Sequence, residues 1–195
     1  MRNPGTPRDD PLRGIGTCLA PKARALFAGQ GPRSTTDLTA TGSVTHLLEV
    51  ARWTGSSRNS QPWHFVVITD KEQLRRISQL RTPINWVAEA PLGIAIVLDG
   101  ANAAGEAYDE GRVTERLLIA ARSLGLGGGV AWYGDADQQA EGKRILGIPA
   151  ERTARSVVIV GYPTSIKDPR PNAAAGGRKE LSEIVSYDRW GQSQA

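Results

Sequence analysis

A chain of 195 residues, 39% hydrophobic and 23% charged, has the composition of a folded globular protein and the length of one domain. No apolar run approaches the ~20 residues that a membrane-spanning helix needs, so no membrane insertion is expected. A lone cysteine, Cys18, excludes an internal disulfide and leaves a poor metal-ligand set, so no metal is expected either.

The net charge of +4 is gathered at one end: residues 1–30 carry +3 and the remainder +1. A basic tail on a nearly neutral body, without an aromatic-interleaved basic stripe, argues against a nucleic-acid partner. No continuous apolar core follows the first arginines, so no secretory signal is expected, and a reducing cytoplasm fits the cysteine usage.

Residues 1–32 contain ten glycines and prolines and read as a flexible N-terminal segment, with a short helix near 22–27, ahead of one domain over 33–195. From Ser43, Val44, Leu47, Leu48 and Ala51 recur at helical spacing. Phe65–Thr69 reads as a buried strand. Asp70, with Gln73 three residues on, resembles a capping box opening a helix whose apolar face is Leu74, Ile77 and Leu80. Leu92–Leu98 is a second buried strand. The longest helix is expected over about 107–124, with Val113, Leu117, Ala120, Ala121 and Leu124 inward and Gly125 ending it. Gly129–Tyr133 is a short third strand, Asp135 and Gln138 cap a helix that stops at Gly147 before Pro149, and Ser156–Gly161 is a fourth strand. The tail from Lys179 to Trp190 carries apolar residues that need something to bury against.

Alternating strands and helices would by themselves suggest a doubly wound parallel sheet. Gly125-Leu126-Gly127-Gly128-Gly129 fails as a dinucleotide fingerprint, because it follows a helix and Val130 replaces the third glycine. That stretch alone favours a helix stop with a flexible turn over backbone left bare for a flat ligand. The run from Ala51 to Phe65 is more informative. It joins helix to strand through Ser56, Ser57, Arg58, Asn59, Ser60 and Gln61, a density of donors beyond what turning the chain requires. Backed by Trp53 and Trp63, such donors suit a planar heteroaromatic ligand that carries an anion. By residue type, a capped loop whose tryptophans belong to the core is an equal reading.

The same run, with Ala51-Arg52-Trp53 followed by Ser57-Arg58-Asn59-Ser60-Gln61-Pro62-Trp63, closely resembles the nitroreductase signature, a helix end leading into S-x-N-x-Q-P-W and a strand. Three further stretches resemble that family in order. They are Ala121–Gly127, then Leu146-Gly147-Ile148-Pro149 with Val157–Pro163, then Arg178–Val185 with Trp190-Gly191. The resemblance implies an α+β fold: a mainly antiparallel sheet of about four strands flanked by helices, in a homodimer with a C-terminal arm exchanged between subunits.

It also implies a cofactor, FMN, and NADH or NADPH as hydride donor, with a nitroaromatic, quinone or similar small acceptor. A flavin-sequestering protein of the same fold without turnover is the alternative. FMN's phosphate needs basic groups and backbone donors, and its pyrimidine edge needs hydrogen bonds. By family position, Arg33, Ser34, Arg178 and Lys179 serve the phosphate, although Thr36 stands where a second basic residue is usual. Ser56, Ser57, Arg58 and Asn59, with Gln61, form the loop that reaches the flavin of the neighbouring subunit. Gly128, Gly129 and Val130 bring backbone N–H groups to the ring. Gln79 and Arg81 are candidates for the pyrimidine edge. No catalytic acid–base residue is expected: His46 and His64 lack the partners of a triad and read as structural or surface residues.

Overall fold

Two strands, Leu92–Leu98 (β2) and Ser156–Gly161 (β4), are buried at every position, which places them at the centre of a sheet covered on both faces. The computed structural model describes residues 38, 42–163 and 179–192, which fall in two compact units. In the first, a four-stranded sheet has the order β1-β2-β4-β3, with β1 at Trp63–Ile68 and β3 at Gly127–Trp132 on its edges. Every pairing is antiparallel, in line with the mainly antiparallel sheet expected and against the parallel one that alternation alone suggests. The apolar runs that looked like parallel-sheet strands are explained by helices on both faces, which leave no polar side to alternate.

The alternation of side chains sorts the core into two layers. Leu92, Ile94, Ile96 and Leu98 meet Leu47 and Ala51 of α1 (Ser43–Arg52) and Val113, Leu117 and Ala121 of a long helix at Ala103–Ser123. Ala95, Val97, Val157 and Ile159 meet Leu74 and Ile77 of α2 (Lys71–Ser78), Trp86, and Ile145 of a helix at Ala136–Leu146. The 21-residue helix is α3 and the 11-residue one α4. At ~25 cal/mol per Å² of apolar surface removed from water, these two layers supply the main drive to fold.

Local chemistry sets the boundaries. Asp70 accepts from the Glu72 and Gln73 amides at 2.7 and 3.0 Å and starts α2. Asp135 and Gln138 form a full capping box at α4, which Gly147 ends at φ 66°. Helix α3 begins at Ala103, a turn before the expected start. Asn102 caps the Gly105 amide, and Glu106 Oε1 accepts from the Ala101 and Asn102 amides, a hydrogen-bonded start with no apolar periodicity to reveal it.

Other expectations need correction. The first strand starts at Trp63 and ends at Ile68. Leu124 caps α3 with 37% of its surface exposed rather than facing inward. Residues Thr82–Glu89 form a 3-10 segment that no periodicity announced, with Ile84, Trp86 and Val87 buried. Gly125, at φ 72°, stops α3 as expected, but Gly127 and Gly128 belong to β3 and not to a turn, so the third strand, expected over Gly129–Tyr133, runs Gly127–Trp132.

The second unit, described over 179–192, contains α5, Leu181–Ile184, with a capping box between Glu180 and Glu183. Its Leu181, Ile184, Val185, Tyr187 and Trp190 side chains are exposed.

Candidate functional site

The loop that joins α1 to β1 is under backbone strain. Arg58, Asn59 and Gln61 hold φ of 53°, 56° and 48°, three non-glycine residues within four positions in the left-handed region. Its frame is internal: the Asn59 amide donates to the Ser56 carbonyl at 3.1 Å, Ser60 to Ser57 at 3.0 Å, and the Gln61 amide to Ser56 Oγ at 2.8 Å. The Ser57, Arg58 and Asn59 side chains are exposed and take no hydrogen-bond partner among the described residues. Backbone strain holds these donors outward and sequence type alone does not reveal it.

Helix α3 anchors the loop's approach. Arg116 Nη1 lies 3.5 Å from the Trp53 carbonyl, and a Cβ on Gly55 would come within 3.0 Å of Arg112 Nη2. Trp53 is 72% exposed under the Arg52 guanidinium, so it is not a core residue; Trp63 packs partly into the α1–α3 layer.

Strand β3 is the other edge of the sheet. The Tyr133 amide donates to the Arg155 carbonyl at 2.9 Å. With Ala131 opposite Val157 and Trp132 opposite Ser156, the two-residue alternation of an antiparallel ladder turns the Gly129 and Ala131 amides toward β4. The amides of Gly128, Val130 and Trp132 then face the open edge, where an external acceptor can meet them. Of the three residues expected to offer amides to a ligand, Gly128 and Val130 are so placed and Gly129 is turned inward. Internal packing also accounts for the glycines: a Cβ at Gly128 would sit 2.8 Å from Leu118 Cδ2, and one at Gly129 3.2 Å from the Trp86 ring.

Trp132, 51% exposed, separates two hollows. One, about 290 Å³, lies between α3 and β3 and is lined by Gly111, Thr114, Val130, Arg155 and Ser156. There Glu110 is held between Arg155 Nη1 at 2.7 Å and Ser156 Oγ at 3.0 Å. The register slips by one residue between Ala95↔Val157 and Leu98↔Thr153, a bulge on the β4 side within residues 154–156. The other hollow, about 650 Å³, is bounded by Gln79, Arg81, Thr82, Pro83, Trp132 and Gln138. Both candidates for a pyrimidine edge, Gln79 and Arg81, line it, a grouping that the sequence left unresolved.

His46 and His64 are exposed and have no described partner. Among the described residues no His, Cys, Asp or Glu cluster suits a metal ion, and no helix is long and apolar enough to cross a membrane. Lys179 is exposed in the second unit; Arg33, Ser34 and Arg178 lie outside the described residues, as does the helix expected near 22–27.

An antiparallel sheet between helical layers, with a strained donor loop near one edge and outward amides at the other among the described residues, defines an α+β protein. The model of the nitroreductase family matches residues 36–97, the segment that holds the loop and the first two strands. A relative from Archaeoglobus fulgidus, with the provisional name NADH dehydrogenase/NAD(P)H nitroreductase, is 33% identical over 133 residues, 64% of this chain and 75% of that one. The chain belongs to the nitroreductase family. Solved structures agree on the fold. An FMN-dependent nitroreductase from Clostridium difficile R20291 superposes with a TM-score of 0.66 at 22% identity, over 75% of this chain and 87% of that one. The NADPH:FMN oxidoreductase of Vibrio harveyi complexed with NAD+ gives 0.68 at 19%, over 88% and 76%.

Proposed function

We propose that this protein is an FMN-dependent NAD(P)H oxidoreductase that works as a homodimer. The observation that carries the reading is the strained loop Ser56–Gln61, where the exposed Ser57, Arg58 and Asn59 side chains take no hydrogen-bond partner among the described residues. These are the donors that an anionic, heteroaromatic cofactor accepts. The donor set fits FMN: Ser57, Arg58 and Asn59 at one sheet edge, and the outward amides of Gly128 and Val130 at the other. When bound, FMN supplies two-electron chemistry between NADH or NADPH and a nitroaromatic, quinone or similar acceptor. The chain's own residues bind and orient it; no acid–base pair is required of them.

The two edges explain why a second copy belongs to the reading. Val66, Ala95, Val157 and Ala131 form one row across the sheet, so Trp63 and Trp132 lie at the same end of it. Three strand spacings, ~14 Å, separate β1 from β3. An exposed loop beside one edge and amides turned out from the other can meet one ligand when they come from different chains. Arg33, Ser34, Arg178 and Lys179 are proposed for the phosphate, on sequence position.

A visible spectrum of the purified protein, followed by anaerobic addition of NADH or NADPH, tests the reading. Bound flavin at about one per chain that bleaches and recovers with a quinone supports it. A colourless protein that takes up no FMN refutes it, and bound flavin that stays oxidised with both nucleotides refutes the enzymatic part.

A further inference from the structure

Glu110 and Arg155 form an enclosed ion pair, 2.7 Å apart, with the arginine side chain 21% and the glutamate side chain 10% exposed. In every other ion pair among the described residues at least one side chain is 36% exposed or more. Stability alone does not account for such a pair, because desolvating two charges offsets most of their attraction and apolar residues would join α3 to β4 as well. Its location is more telling. The pair lines the hollow of about 290 Å³ between α3 and β3, together with Val130 and Trp132, whose amides face the open edge of the sheet. Among the described residues no other charged side chain lines that hollow. Glu106 and Asp109, buried on the same stretch of α3, are engaged elsewhere: Glu106 Oε1 accepts from the Ala101 and Asn102 amides, and Asp109 faces Arg112 at 3.6 Å. Ser156 Oγ donates to Glu110 at 3.0 Å, and Arg155 Nη2 donates to the Ala103 carbonyl at 3.4 Å, so both charges are fixed in place.

We infer that Glu110 and Arg155 tune the reduction potential of the bound flavin by keeping the charge beside it balanced. This rests on the flavin reading above, in which the outward amide of Val130 meets the ring. Two-electron reduction adds negative charge to a flavin, so a lone cation nearby favours the reduced form and a lone carboxylate the oxidised form. Paired at 2.7 Å, the two charges largely cancel at a ligand, and the amides of β3 set the balance instead. Removing one partner unmasks the other. A hollow of about 290 Å³ is roughly 8 Å across, and a unit charge acting over ~8 Å at an effective dielectric near ~20 changes the ratio of the two redox states by at least about tenfold. For a two-electron couple, tenfold is ~30 mV.

Anaerobic redox titration of the FMN-loaded protein against a reference dye tests the inference, at pH ~8.5, well above the ordinary carboxylate range. Glu110→Gln keeps an acceptor for Ser156 Oγ and leaves the guanidinium, which stays charged at any such pH, without its counter-ion. Its flavin potential should rise by at least ~30 mV, and that of Arg155→Gln should fall by as much. The double variant Glu110→Gln/Arg155→Gln should return to the parent value. A pair that acted only as a staple between α3 and β4 would move both single variants the same way, in step with their loss of Tm. Shifts of one sign, or no shift, therefore overturn the inference, and either single variant suffices because its sign is fixed beforehand. Should neither fold, a double variant displaced from the parent potential overturns it. No FMN uptake by the parent sinks the flavin reading and this inference together, whereas bound FMN whose potential ignores the substitutions sinks this inference alone.

Discussion

Tyr133 is fully buried in the α2–α4 layer, and its hydroxyl finds no hydrogen-bond partner among the described residues. Burial pushes its phenol well above the usual tyrosine range, and the negative charge of Glu110 adds to the effect. Tyr133→Phe removes that hydroxyl and keeps the ring that packs against Gly142 of α4. An unsatisfied buried polar group costs ~1–3 kcal/mol, so the variant should gain about 1 kcal/mol after small losses of contact. In a chain of this size that is about 2–4 °C in Tm.

The pH dependence gives a second arm. A group whose pKa is raised by folding contributes stability that is fully present below the unfolded value, near pH ~10 for tyrosine, and is lost as pH climbs toward the folded value. The parent should therefore lose stability above pH ~10 by an increment that the phenylalanine variant lacks, so the gap between them widens from pH 9 to 11. Thermal melts at those pH values provide the measurement. A variant less stable than the parent at pH 7 would mean that the hydroxyl is hydrogen-bonded, and the reasoning fails.

Arg58→Gly should leave the flavin-free protein as stable as the parent or raise it by up to ~1 kcal/mol, because glycine occupies φ 53° without strain. The same change should weaken FMN binding about tenfold by losing a charge-assisted contact; a lowered Tm, or unchanged flavin affinity, counts against a loop strained for binding. Asp135→Ala removes one half of the α4 capping box and should cost about 1 kcal/mol, read as a fall of roughly 2–4 °C in Tm.

The helices and central strands were legible because their causes are local. Asp70 and Asp135 sit one residue before their helices, and the runs at 92–98 and 156–161 are apolar throughout. Features made by distant contacts were not legible. The 3-10 segment at Thr82–Glu89 is held by the burial of Ile84, Trp86 and Val87, and Trp86 lies under Gly129, more than forty positions away. The motif at Ser57–Trp63 marked the candidate loop, yet residue type does not disclose its left-handed backbone. Arg81 and Trp132 are fifty-one positions apart, and no spacing rule pairs them; the tertiary fold does, with Gln138 of α4 donating to the Leu80 carbonyl beside Arg81.

The separation of the two sheet edges carries a genetic consequence. If each site draws its loop from one subunit and its strand from the other, a variant whose loop is disabled by several substitutions and a Val130→Pro variant that lacks the outward amide are each inactive alone. In a mixed dimer one site inherits both lesions and the other inherits neither. Co-expression of two dead alleles would then restore about a quarter of the sites in a random population, and dilution below the dimer's dissociation constant would silence them together.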